Sequence, residues 1–206
     1  MVKAVIVVVA VPGAGKTTIL KKLKEIMPSV SVINFGDVML EEASKRFGVT
    51  DRDEMRKKLA LMDYRNLQLH AAEAIATRGD GVVIIDTHAA ISTPYGYYSG
   101  LPPEVVRALN IDLIVFLEFR PEDILARREM DQETIRKRGL DSIEAIEEHQ
   151  SISKMFAIAA ANEAKCYLKI LKYYYPQQYP FQHAIECAKE LANLIEFLLQ
   201  QKGITA

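Results

Sequence analysis

Residues Ala10-Val11-Pro12-Gly13-Ala14-Gly15-Lys16-Thr17 stand between a run of β-branched residues, Val5–Val11, and a stretch with helical spacing, Lys16–Met27. Strand, glycine-bearing turn and helix in that order give the phosphate-binding loop pattern G-x-x-x-x-G-K-[ST], with Ala10 where a first glycine is usual. Chemistry dictates the residue types. Gly13 and Gly15 let the backbone bend so that successive N–H groups point inward as an anion nest. The helix opening near Lys16 adds the partial positive charge of its N-terminus. Lys16 then reaches the β and γ phosphates of a nucleotide, and the Thr17 hydroxyl is placed to ligate Mg²⁺. Ala10 is tolerable provided its φ stays negative. The candidate nucleotide-binding residues here are Ala10, Val11, Pro12, Gly13, Ala14, Gly15, Lys16, Thr17 and Thr18.

Outward from this loop, two more runs are apolar throughout, Val82–Ile85 and Leu113–Phe119, as suits strands buried on both faces of a parallel sheet. Val30–Phe35 and Tyr167–Leu171 are weaker strand candidates. Helical spacing predicts helices over Lys16–Met27, Val38–Phe47, Arg65–Thr77, Ser142–Lys165 and His183–Gln201, with Gly48 a suitable residue just past the second. The alternation implies an α/β fold: one parallel sheet with helices on both faces. Asp86 ends a buried strand, where such folds place the acidic group that organises Mg²⁺ and its waters. Ile91–Pro103, crowded with Gly, Pro, Ser and Tyr, and the charged Asp131–Asp141 read as long irregular loops, and hence as functional suspects. Tyr173–Phe181 reads as a surface excursion without assigned chemistry.

The chain has 206 residues, within reach of one domain, since domains hold roughly 100–200 residues. Lysines and arginines number 26 against 27 aspartates and glutamates, a net charge of −1, so the basic surplus of a duplex-nucleic-acid binder is missing. Half the residues are hydrophobic, which argues against disorder. No apolar run approaches the ~20 residues that cross a bilayer, and Met1–Ala10 runs into the phosphate loop rather than into a cleavage site. Cys166 and Cys187 lack metal-ligand spacing and read as buried apolar thiols in a reducing cytoplasm. His70, His149 and His183 lie on predicted helices and read as structural or exposed.

Several blocks together resemble the archaeal type of adenylate kinase: Ala10–Thr18, Asn34-Phe-Gly-Asp-Val-Met39, Asp51-Arg-Asp-Glu-Met-Arg-Lys57, Asp86-Thr-His-Ala89, Thr93-Pro-Tyr-Gly-Tyr97 and Gly100-Leu-Pro102. The resemblance runs from the first strand to about Ile170. It implies a three-layer kinase fold with a five-stranded parallel core, in a single domain spanning residues 1–206. It implies an acceptor-nucleotide region at about 36–80 and a small mobile lid at about 128–142. The reaction implied is MgATP + AMP ⇌ MgADP + ADP, with Mg²⁺ as cofactor and ATP, AMP and ADP as partners, without a nucleic acid or a membrane. Archaeal members are often trimers, so a homo-oligomer is implied as well.

In-line transfer between two anionic nucleotides needs positive charge around the moving group. With Lys16 on the donor, Arg56 is the first candidate to clamp the acceptor phosphate, against the reading of a solvated surface charge. Gly36 and Asp37 are placed in the acceptor pocket, Asp37 equally as N-cap of the following helix. His88 contacts the acceptor or phosphate region, or is a structural hydrogen-bonding residue. Arg127 and Arg128 resemble lid-entry arginines, Met130 departs from a basic family position, and Arg136, Lys137 and Arg138 restore charge across the loop. Lys154 falls near a later family arginine. Thr93, Tyr95 and Tyr97 either meet the acceptor base or pack at the sheet edge. The catalytic set is therefore Lys16, Arg56, Arg127 and Arg138, with Thr17 and Asp86 for the metal. Two alternatives stand beside it: a kinase for another nucleoside monophosphate, and a slow ATPase switch or assembly factor. A guanine-reading Asn-Lys-x-Asp segment is absent from the sequence.

Overall fold

The computed structural model describes residues 4–132 and 142–203; the side chains of 53, 56, 57, 131 and 132 lie outside that description. Strand β1 (Ala4–Val9) leads into helix α1 (Lys16–Ile26), followed by β2 (Ser31–Asn34), α2 (Phe35–Phe47), α3 (Arg52–Lys58) and α4 (Leu61–Ala76). Strand β3 (Val82–Thr87) then gives way to a hairpin, β4 (Ala90–Thr93) and β5 (Gly96–Ser99), and to α5 (Pro103–Leu109). The remaining elements are β6 (Leu113–Phe119), α6 (Pro121–Gln132), α7 (Ile143–Ala164), β7 (Tyr167–Tyr173) and α8 (Gln182–Gln201).

Five parallel strands form the main sheet in the order β2-β3-β1-β6-β7. All six residues of β1 are buried, because both faces of the sheet are covered. Alternation divides them. Ala4, Ile6 and Val8 pack with Ile19 and Leu23 of α1 and Leu191 and Ile195 of α8. Val5, Val7 and Val9 pack with Val38 of α2, Leu67 and Ile75 of α4, Val105 of α5 and Ala157 of α7. Two apolar layers on one central sheet give the three-layer architecture expected from the sequence.

Three expectations need correction. Ile91–Pro103 is not irregular: it opens as an antiparallel hairpin, registered from Ala90 opposite Ser99 to Thr93 opposite Gly96, and its Pro103 begins α5. Asp37 is not the N-cap of α2, because the helix starts earlier and the Asn34 side chain accepts a hydrogen bond from the Asp37 N–H at 3.2 Å. Cys166 is only partly buried, whereas Cys187 is buried as expected. Gly48 does take the left-handed conformation that ends α2, at φ 65°. Of Asp131–Asp141, residues 133–141 lie outside the described residues, and with them Arg136, Lys137 and Arg138.

Candidate active site

A parallel sheet delivers its loops to one edge, and the carboxyl ends of β1, β2, β3 and β6 all contribute to the same region. The turn after β1 holds Gly13 at φ 84° and Gly15 at φ 87°, left-handed values that glycine adopts without a Cβ penalty. Gly15 caps α1 with no side-chain hydrogen bond, so no side chain competes for the N–H groups of the first turn. Ala10 has no positive φ, as the substitution requires. Ala10, Val11 and Ala14 are buried and anchor the turn in the core. Pro12 is half-buried, Thr17 is exposed and Thr18 is half-buried.

Lys16 is 8% exposed, and its Nζ lies 2.7 Å from Asp86 Oδ1 and donates to the Thr87 carbonyl at 2.5 Å. Strand register explains this meeting, because Val8 and Val9 pair with Asp86 and Thr87. Burial pushes the Lys16 ammonium below its usual range, and the Asp86 carboxylate pulls it back. The cation is held at the sheet edge by one carboxylate and one carbonyl, both of which a phosphate ligand can replace.

Asp86 has a second partner. Its Oδ2 accepts from Asn34 Nδ2 at 2.9 Å, from the strand-end position that pairs with it in register. Asn34 Oδ1 accepts from Arg52 Nη2 at 2.9 Å, and Arg52 also pairs with Asp37 Oδ1 at 2.5 Å. A Cβ on Gly36 would stand 3.0 Å from Arg52 Cζ, so the glycine lets the guanidinium lie against the start of α2. Neither Arg52 nor Asn34 carries a distinguishing signal in the sequence: Asn34 is one polar residue of the Asn34–Met39 stretch, and Arg52 sits on the same short helix as Arg56. The side chain of Arg56 lies outside the described residues.

Helix α6 supplies the opposite wall. Arg127 Nη1 donates to the Ala14 carbonyl at 3.0 Å, and Arg128 Nε donates to the Pro12 carbonyl at 2.9 Å. Arg128 is buried, and its stem fills the space where a Cβ on Gly13 would fall, at 2.5 Å from Cγ. Arg127 lies over the Phe119 ring, 5.0 Å from its centroid. His88 makes its contact with the loop backbone, Nδ1 to the Ala10 carbonyl at 2.6 Å. Lys154 is instead held on the buried Glu118 at 2.6 Å. Of the hairpin tyrosines, Tyr95 is fully exposed, and Tyr97 leans on His149 at 5.2 Å and donates to Glu148 at 3.3 Å.

The arrangement concentrates cations around one glycine-bearing turn, with hard oxygen donors beside it in the exposed Thr17 hydroxyl and the Asp86 carboxylate. That donor set suits Mg²⁺, which takes one or two protein oxygens and completes its shell with phosphate and water. Comparison with known proteins agrees with the geometry. A family profile described as an AAA domain matches residues 9–147. An adenylate kinase of Pyrobaculum aerophilum is 48% identical over 92% of this chain and 95% of the relative. An adenylate kinase of Pyrococcus horikoshii is 37% identical over 96% and 97%. Among solved structures, shikimate kinase from Acinetobacter baumannii in complex with shikimate superposes with a TM-score of 0.57 at 17% identity, covering 94% of this chain and 93% of its own. That last likeness concerns the fold.

Proposed function

The chain belongs to the archaeal adenylate kinases and carries adenylate kinase activity; from that premise we propose how its own residues perform the reversible transfer from MgATP to AMP, giving two ADP. The nest of N–H groups after β1 binds the donor phosphates, and Lys16 exchanges Asp86 and Thr87 for them. Arg127 and Arg128, fastened to the loop carbonyls, brace the nest and bring further positive charge to it. Arg52, beside Gly36 and Asp37, and Arg56 on the same helix receive the acceptor phosphate. Transfer then needs little covalent help from the protein, since an AMP phosphate oxygen is already anionic. His88 supports the loop backbone and supplies no proton. Thr17 and Asp86 would hold Mg²⁺, which would supply neutralisation of the charge that develops on the donor phosphates.

Arg138 belongs to the lid of this reading, which shields the phosphates from hydrolysis. We also propose a cytoplasmic homo-oligomer, a trimer as in many archaeal members. Sedimentation would test the trimer.

The observation that carries the mechanism is the meeting of Lys16, Asp86, Arg127 and Arg128 on one turn. Substitution Lys16→Met is the test: transfer is expected to be abolished with the fold intact by circular dichroism. Near-normal turnover would contradict the phosphate-loop mechanism.

A further inference from the structure

Between the donor cation and the acceptor cation runs an unbroken chain of contacts. Lys16 Nζ meets Asp86 Oδ1 at 2.7 Å, Asp86 Oδ2 meets Asn34 Nδ2 at 2.9 Å, and Asn34 Oδ1 meets Arg52 Nη2 at 2.9 Å. Four of its five side chains carry formal charge: Lys16, Asp86, Arg52 and, at the far end, Asp37 on Arg52 at 2.5 Å. Asn34 alone is neutral, and it stands in the middle.

Its chemistry leaves no choice of orientation. A carboxylate only accepts and a guanidinium only donates, so the amide must turn Nδ2 to Asp86 and Oδ1 to Arg52. The Asp37 N–H, which Oδ1 also caps at 3.2 Å, demands the same orientation. A flipped amide would break all three contacts. The position is equally fixed, because Asn34 and Asp86 pair in register at the ends of β2 and β3.

We infer that Asn34 is a positioning residue that couples the donor side of the site to the acceptor side, holding the Arg52 guanidinium in register with the Lys16–Asp86 pair. The inference deepens the proposed roles of Lys16 and Arg52 and rests on them. When donor phosphates draw Lys16 from Asp86 Oδ1, the contact between Asp86 Oδ2 and the Asn34 amide is left in place. The amide, held from both ends, keeps Arg52 in position while the donor side fills, since hydrogen bonds in a chain reinforce one another. Gly36 completes the seat, because a side chain there would press on the guanidinium that Asn34 holds. Asn34 thereby keeps the arginine that meets the acceptor phosphate at a fixed place relative to the donor side.

Two substitutions separate this role from helix capping, because serine and aspartate cap a helix about as well as asparagine. Asn34→Ser is too short to span Asp86 and Arg52 together. Asn34→Asp keeps the acceptor for Arg52 and the cap but loses the donor to Asp86. Steady-state kinetics with both nucleotides varied, thermal melting, and a double-mutant cycle with Arg52→Ala make up the experiment. Asn34→Ser is expected to melt close to the parent and Asn34→Asp lower, since its carboxylate faces that of Asp86; both are expected to lose about 10- to 100-fold in kcat and to raise the apparent KM for AMP more than that for ATP. The Asn34→Asp/Arg52→Ala double variant is expected to be little worse than Arg52→Ala alone, as residues acting in one chain are not additive. Parental kinetics in both Asn34 variants, with Arg52→Ala impaired, would overturn the coupling and leave the role of Arg52 standing. Additive losses in the double variant would overturn it too. Unchanged AMP handling in Arg52→Ala would remove the acceptor role itself, and the coupling with it.

Discussion

Lys16 and Arg52 are found in opposite ways. Lys16 is dictated by local chemistry: a phosphate nest needs glycines, a helix start and a cation in fixed order, so eight consecutive residues reveal it. Asp86 was legible for a related reason, as an acid at the end of an apolar run. Arg52 was hidden. It meets Asn34 across 18 positions of chain, and nothing near it separates it from Arg56. Its partners Asn34 and Asp37 lie on either side of Gly36, so the signal existed only as a block of polar residues around a glycine. At this scale the expectation is that Arg52→Ala raises the apparent KM for AMP about 10-fold or more, the loss of a bidentate phosphate contact. Initial rates at saturating ATP measure it, and an unchanged value would contradict the assignment. Arg56→Ala is the parallel test of the residue favoured by resemblance.

The segment after β7 shows what elements add. Tyr173–Phe181 had no chemistry from its sequence, yet it delivers Tyr175 onto His183 of α8, with the rings 4.9 Å apart and the Tyr175 carbonyl 2.9 Å from His183 Nε2. Phe119 stacks on Tyr173 at 5.3 Å and carries Arg127 on the same ring. A sequence cannot disclose such a stack, because its members come from β6, α6, β7 and α8. His183 is 1% exposed, and burial holds its imidazole below the ordinary 6.5, opposed by the Tyr175 carbonyl and reinforced by Arg127. An unfolded chain therefore binds a proton that the folded chain refuses, so stability is lost as pH falls below 6.5 toward the depressed folded value. His183→Gln is expected to flatten that slope in denaturant titrations at a series of pH values, and an equally steep slope would contradict it. The β4–β5 hairpin is hidden in the sequence because Pro94 and Gly96 look like loop residues until their strands pair. It is seated on the chain end of β3: a Cβ on Gly100 would fall 1.8 Å from the His88 carbonyl oxygen, which is backbone and has no rotamer to change. Gly100→Ala is expected to cost about 2–4 kcal/mol of stability, read by urea unfolding, through displacement of this hairpin.

At the scale of the whole chain, the parallel sheet was the most legible feature. Strands buried on both faces lose their polar alternation, and Val5–Val11, Val82–Ile85 and Leu113–Phe119 reveal themselves by that loss. Edge strands β2 and β7 are less fully buried and correspondingly weaker in sequence. Sheet order brings the ends of β1, β2 and β3 side by side, and with them Lys16, Asn34 and Asp86. The fold thus brings three distant turns together at one edge of the sheet. The measurement that bears on this most directly is ADP formation from MgATP with AMP, CMP, UMP, GMP or no acceptor. The expected result is fast turnover with AMP and little with the others or without acceptor. Slow ADP release indifferent to any acceptor would contradict the account.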